Sequence, residues 1–293
     1  MSWEVAGRWS VYIPLLLVCG VLGVWLLVVV RGAALSVRDP QVGLRRLGWL
    51  FGMLLLAAVL LRAGFQSIEV WGPGEGLSFE NLRTVALESR WGGRWQWQVV
   101  AAAVTALGTL AFVRSPVAGG LITSLGVLSV AAALPMTGHA YGNPQAWVAQ
   151  SVHILGAGFW IGTLVVVLLV PLVMSVPSRA EIASMHRYWL RAFSPLALTG
   201  ASMLVVSGGL LAFLYLPAWD TLWTDPYGQI LLVKVGLSVF VLFFGAVNYL
   251  RIHFRPDLHT DPLPRTVALE VVFALLVLAA TGLLTSTAQP DMH

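Results

Sequence analysis

The chain has 293 residues, of which 58% are hydrophobic and only 10% charged, with a mean hydropathy of +0.83. A water-soluble domain carries about a quarter charged residues, so a soluble globular fold is excluded and the lipid bilayer is the expected solvent. The formal net charge of +4 is no nucleic-acid signal, because the arginines cluster between hydrophobic runs, where they orient a membrane protein.

A helix needs about 20 mostly apolar residues to cross the hydrocarbon core. Runs of that kind fall at 13–31, 44–62, 95–113, 117–136, 147–174, 193–215, 229–250 and 267–286. They lack the apolar-polar alternation of barrel strands, so the predicted fold is all-α, a polytopic transmembrane bundle of about eight spans. Glu4 and Arg8 precede the first run and no small-residue cleavage site follows it, which predicts a retained span. The only cysteine, Cys19, lies within that run, so neither a disulfide framework nor a thiolate metal cage is expected. The 63–94 segment after the second run holds Gly72, Pro73, Gly74 and Gly76, then the charged stretch Glu80–Arg94. It reads as an outer turn followed by an interfacial helix, with Trp91, Trp95 and Trp97 in the headgroup layer. The fifth run is the longest, and Pro171 within it predicts a tilt, a kink or an extension beyond the membrane.

Connections 1–2, 3–4, 5–6 and 7–8 hold Arg31, Arg38, Arg45, Arg46, Arg114, Arg179, Arg187, Arg191, Arg251, Arg255 and Arg265. The other side holds Arg8, Arg83, Arg90 and Arg94, with Arg62 at its border. The positive-inside rule therefore predicts both termini outside. A faint internal echo links the third and seventh runs: Trp91-Gly92 and Tyr227-Gly228 are each followed, six residues after the glycine, by a polar residue (Gln98, Lys234). Two parallel four-helix halves, 1–136 with the outer loop at 63–94 and 137–293, would produce this echo. The other spans do not keep one offset.

Polar residues within spans are functional candidates because burying them in lipid is costly. The outer ends of spans four and five bring together Met136, His139 and, about two turns into span five, His153. A short loop with Gly142 and Pro144 would fold His139 back over that helix. Two imidazoles and a thioether suit copper, as Cu⁺ or Cu²⁺. The plainer reading makes His139 a solvated loop residue and His153 a hydrogen-bonding residue between helices. Lys234, the only lysine, either snorkels to the outer headgroups or faces the bundle at the depth of His153, with Asp225 at the helix entrance as one partner. Glu270 falls near the cytoplasmic end of span eight, far from Lys234, and Asn248 is its expected hydrogen-bond neighbour. Such a pair either marks a translocation path or simply joins spans. His186, His253 and His259 fall in basic inner stretches and read as solvated or lipid-facing. There is no Walker motif, Rossmann fingerprint or nucleophile elbow, so ATP-driven pumping is not expected.

Three strings carry a family resemblance: His153-Ile154-Leu155-Gly156-Ala157-Gly158-Phe159-Trp160-Ile161-Gly162; Pro226-Tyr227-Gly228-Gln229-Ile230-Leu231-Leu232-Val233-Lys234, with Asn248 closing the same span; and Thr137-Gly138-His139-Ala140. In order and spacing they resemble the CopD copper-resistance family, most closely over 135–286. The resemblance implies a transporter rather than an enzyme, acting in copper uptake or resistance at the bacterial inner membrane beside a periplasmic copper-binding protein. It singles out His139, His153, Trp160 and Lys234. Methionine-rich runs that would mark a copper pathway are missing. A histidine near the start of one span and a lysine two spans later are also similar to the membrane-bound protoporphyrinogen oxidase family, which implies haem and a redox enzyme. A scaffold subunit with no metal dependence is the third alternative.

Overall fold

The computed structural model describes residues 3–31, 41–112, 114–138, 140–173, 179–216, 218–254 and 265–287. In chain order they form α1 (Trp3–Arg31), α2 (Gln41–Trp71), α3 (Phe79–Arg83) with a π turn behind it (Thr84–Glu88), α4 (Arg90–Ala111), and α5 (Pro116–Ala133) ending in a 3-10 turn (Leu134–Thr137). Then come α6 (Pro144–Ala157), a π turn (Gly158–Gly162), α7 (Thr163–Val173), α8 (Arg179–Tyr215), α9 (Thr221–Thr224), α10 (Pro226–Phe254) and α11 (Arg265–Ser286). The fold is all-α.

Seven of these units are long and apolar enough to cross a membrane, with α6, its π turn and α7 forming one span. The remaining expected span is α4, which is more polar because Arg90, Arg94, Gln96 and Gln98 fill its first turns. Its 22 residues rise about 33 Å at 1.5 Å each. It also runs antiparallel to α2 over its length: Trp95 and Gln98 meet Val59 and Arg62 at one end, and Thr109 meets Gly52 at the other. Among the described residues, seven units are thus candidate spans and α4 matches them in length.

The centre of the bundle is α1. Val11, Leu15, Val18, Val21 and Val24 are buried on several of its faces, as a helix apolar all round requires. It packs against α2, α5, α7 and α11. Small residues let spans approach closely, and the contact with the fifth span shows why they are needed. Gly20 lies against the Gly162 backbone and Gly158 against Cys19, with no room for a side chain at either glycine. This approach fixes the π turn, and Trp160 within it, in the middle of the molecule.

The 63–94 segment turns at Gly72 (φ +79°), a left-handed conformation that glycine adopts without penalty. The charged stretch is short helix α3 and the π turn, followed by α4, which Ser89 caps by accepting from Gly92 N–H at 2.8 Å. Trp97 is exposed, whereas Trp95 turns into the bundle. It is buried, donates its indole N–H to Val59 O at 2.7 Å and stacks on Trp91.

A second correction concerns the start of the sixth span. The helix α8 begins at Arg179 rather than near 193 and is 37 residues long. His186, Trp189, Leu190 and Phe193 are buried, at the i, i+3, i+4, i+7 spacing of one helical stripe. A helix continuing out of the bilayer needs only such a stripe, so the arginines around it hid the extension. His186 is therefore neither solvated nor lipid-facing: its Nε2–H donates to Leu168 O at 3.2 Å. Burial lowers its pKa from the ordinary value, and the Leu168 carbonyl opposes that shift. The side chain of His253 and all of His259 lie outside the described residues.

Candidate functional site

Two polar constellations lie along the fifth span. The first begins where α5 ends in its 3-10 turn and the chain crosses to α6. Gly142 takes φ +92°, and Asn143 caps α6 by accepting from Gln145 N–H at 3.0 Å and Ala146 N–H at 3.1 Å. Trp147 ties α6 back to α5 through Ala132 O at 2.7 Å. Ala140, Ala146, Ala149 and Leu211 pack together, so the crossing chain lies over the outer ends of α6 and α8. His139 lies outside the described residues. Met136 is held toward α4, its carbonyl accepting from Arg94 at 3.2 Å, while the Arg94 guanidinium stacks 3.3 Å above the Tyr141 ring.

His153 sits ten residues into α6, half-buried against α8. Its Nδ1 lies 3.1 Å from Ser207 Oγ, and the ring lies over Gly208, where an added Cβ would stand 3.2 Å from Cε1. The tautomer follows from the network. The Ser207 hydroxyl proton is already committed to the Met203 carbonyl, so its oxygen has to accept. A neutral His153 therefore carries its proton on Nδ1 and leaves the Nε2 lone pair available. A hydrogen bond that orients one ring nitrogen while the other keeps its lone pair is the usual support of a metal-ligating histidine. Asp225 is occupied elsewhere: it accepts from Tyr227 N–H at 2.7 Å and caps α10, with no ion pair to Lys234.

The second constellation is built on the π turn. Trp160 Nε1–H donates to Glu270 Oε1 at 3.1 Å, and Asn248 Nδ2–H donates to Glu270 Oε2 at 2.7 Å. Thr266 in turn donates to Asn248 Oδ1. Glu270 is only 3% exposed, and Trp160 and Asn248 6% each. Gly245 leaves the room these groups need, since a Cβ there would stand 3.2 Å from Glu270 Oε1 and 3.3 Å from the Trp160 ring. The structure thus joins Trp160, Asn248 and Glu270, and keeps Met136 and Asp225 in other contacts.

Sequence reasoning missed the supporting residues. Ser207 and Thr266 are ordinary hydroxyl residues with no signal of their own. The third polar group is centred on Arg62, which is buried and donates to Gln98 Oε1 at 2.6 Å. Gln98 Nε2 donates to Ala133 O and Thr137 Oγ1, both at 3.1 Å. Its sequence signal was the polar echo position, Gln98. No group of three His, Cys, Asp or Glu side chains among the described residues is arranged to hold a metal.

Together these features define a polytopic helical membrane protein with ionisable groups buried along its fifth, seventh and eighth spans. Two family descriptions match it: "Copper resistance protein D-like, N-terminal domain" over residues 2–147 and "Copper resistance protein D" over 187–284. The chain belongs to the copper resistance protein D family, CopD. Lys234, Asn248 and Glu270 lie inside the second match, whereas His153 and Trp160 fall between the two. A curated relative, "Copper transport protein CutJ" of Bacillus subtilis (strain 168), is 29% identical over 245 residues, covering 80% of this chain. The alignment covers 44% of that relative, so the chain spans less than half its length. No solved structure matches.

Proposed function

We propose that this protein carries copper ions across the bacterial inner membrane, receiving them at its outer face. The family and the relative support a copper-related membrane role. The observation that carries the finer reading is the His153 network, which presents an unprotonated Nε2 at the α6–α8 interface on the outer side of the bundle. His139 and the Met136 thioether would complete the ligand set, since imidazole and thioether together suit copper in either oxidation state. Lys234 then serves as a gate. Its ammonium opposes a cation at His153 and must move away or lose its proton for copper to settle. The arginine-rich connections face the cytoplasm in this reading, with both termini in the periplasm beside a copper-binding partner protein.

The test is copper uptake by the full chain in proteoliposomes. His153→Ala should slow uptake about tenfold or more, and Ser207→Ala should weaken copper binding by about tenfold, the usual cost of losing an outer-shell partner. Uptake by both variants at the wild-type rate would overturn the site. A Soret band in the purified protein that disappears in His153→Ala would instead support the haem enzyme.

A further inference from the structure

We propose that Glu270 is a proton-exchange site of the copper path, its carboxyl taking up a proton from the cytoplasmic side and releasing it as a copper ion enters the bundle. This inference rests on the transport reading above and adds the second ion. Glu270 is buried within a span, and among the described residues no cation lies within ion-pair distance of it. An ionisable group kept at membrane depth without a counter-charge is costly, and a packing role needs no ionisable group, since a neutral amide also joins helices.

The groups that face the carboxyl are Trp160 from the fifth span, Asn248 from α10 and, through Asn248, Thr266 of α11. None of them titrates near neutral pH. Both carboxyl oxygens meet an N–H donor, which supports the ionised form, while burial and the missing cation support the neutral form. Neither form is locked. A lone hard carboxylate whose two oxygens already accept hydrogen bonds is a poor copper ligand beside imidazole and thioether, but it is a competent proton carrier. The step balances for Cu⁺: one O–H bond forms on Glu270 from a cytoplasmic proton, and the same bond breaks as one positive charge arrives, the proton passing back to water on the cytoplasmic side, with no change of redox state.

The two stations are also linked in the chain. His153 and Trp160 are seven residues apart on one span, about 10 Å along it, and the π turn lies between α6 and α7. The Gly156 and Gly200 backbones touch on this stretch, where a Cβ on Gly200 would stand 3.0 Å from Trp160 N. A shift of α6 on loading His153 would therefore reach the indole that holds Glu270.

The test is infrared difference spectroscopy of the full-length protein in lipid, titrated with acid and then with copper salt. The expected result is a protonated-carboxyl band that grows as pH falls, diminishes on adding copper, and is missing in Glu270→Gln. Should Glu270→Gln fail to fold, Trp160→Phe serves instead. It keeps the carboxyl but removes one hydrogen bond, and the band should move to higher frequency. A band that copper leaves unchanged, or one that persists in Glu270→Gln and is unmoved in Trp160→Phe, would overturn the proposal. Uptake measured in parallel separates the two readings. A copper-sensitive band without transport would defeat the transporter, whereas transport with an insensitive band would defeat the proton site.

Discussion

The polar groups around Arg62 and those around His153 use their bonding capacity differently. In the first four spans, Arg62, Gln98 and Thr137 close on one another, and Trp91 lies 5.6 Å from the Arg62 guanidinium as a cation–π partner. The helices around them touch through glycine: a Cβ on Gly108 would meet the Thr123 backbone, and one on Gly126 would meet Thr105. In the last four spans His153 Nε2 and the Lys234 ammonium have no hydrogen-bond partner among the described residues. Gly209 and Gly236, close in sequence to Ser207 and Lys234, have nothing within 4 Å of where a Cβ would stand. A polar group that is fully answered stabilises an interface, whereas one left with bonding capacity at membrane depth invites a ligand. The groups around Arg62 thus act as a frame, while His153 and Lys234 keep bonding capacity of their own.

The largest effect should come from overfilling the frame. Gly108→Val forces a side chain into the α4–α5 contact, and overpacking costs about 1–3 kcal/mol or more. The detergent-solubilised protein should lose roughly 5–10 °C of thermal stability, read by a melting assay. Unchanged melting would show that the two helices separate easily and the frame is loose.

Arg62→Ala and Lys234→Gln sharpen the contrast. Removing Arg62 strands the buried Gln98 carbonyl, a loss of about 1–3 kcal/mol, and should lower stability while leaving copper affinity per folded molecule unchanged. Removing the Lys234 charge should do the reverse, leaving stability nearly intact and tightening copper binding about tenfold as repulsion is lost. Isothermal titration and melting on the same preparations decide it. If Lys234→Gln and Lys234→Arg both match the wild type in binding and uptake, the lysine is a lipid-facing anchor. The smallest effect is expected at Gly236→Ala, where open space admits the methyl group and helix propensity gains about 1 kcal/mol. A marked loss of stability there would mean that α10 is more tightly enclosed than its surroundings indicate.

Much of the second constellation was legible in the sequence because a carboxyl at membrane depth needs donors. Asn248 shares the inner depth of Glu270, and the expected pair is found at 2.7 Å. Trp160 was visible only through the family string. The fold class and the positions of the spans were also readable, since hydrophobic length is a strong signal. What escaped was any partner that only the packing of the helices brings within reach. Trp95 looked interfacial because tryptophan favours headgroups, yet the Val59 carbonyl gave its N–H a partner inside. The stripe at His186, Trp189 and Leu190 was masked by neighbouring arginines, and Ser207 had nothing to distinguish it until His153 was seen against it.

The π turn at Gly158–Gly162 has a consequence for reading relatives of this protein. An extra residue in a helix rotates everything after it by about 100° unless a wide turn absorbs it locally. Here it is absorbed, so α6 keeps Ala149 and Gly156 toward α8 while α7 keeps Val166, Val167 and Val170 buried. A homologue without the turn will match α6 or α7 in register, but not both, unless one gap is opened between Gly158 and Gly162. An ungapped comparison would then slide Trp160 onto a neighbouring column, and the indole that holds Glu270 would look unconserved in proteins that possess it.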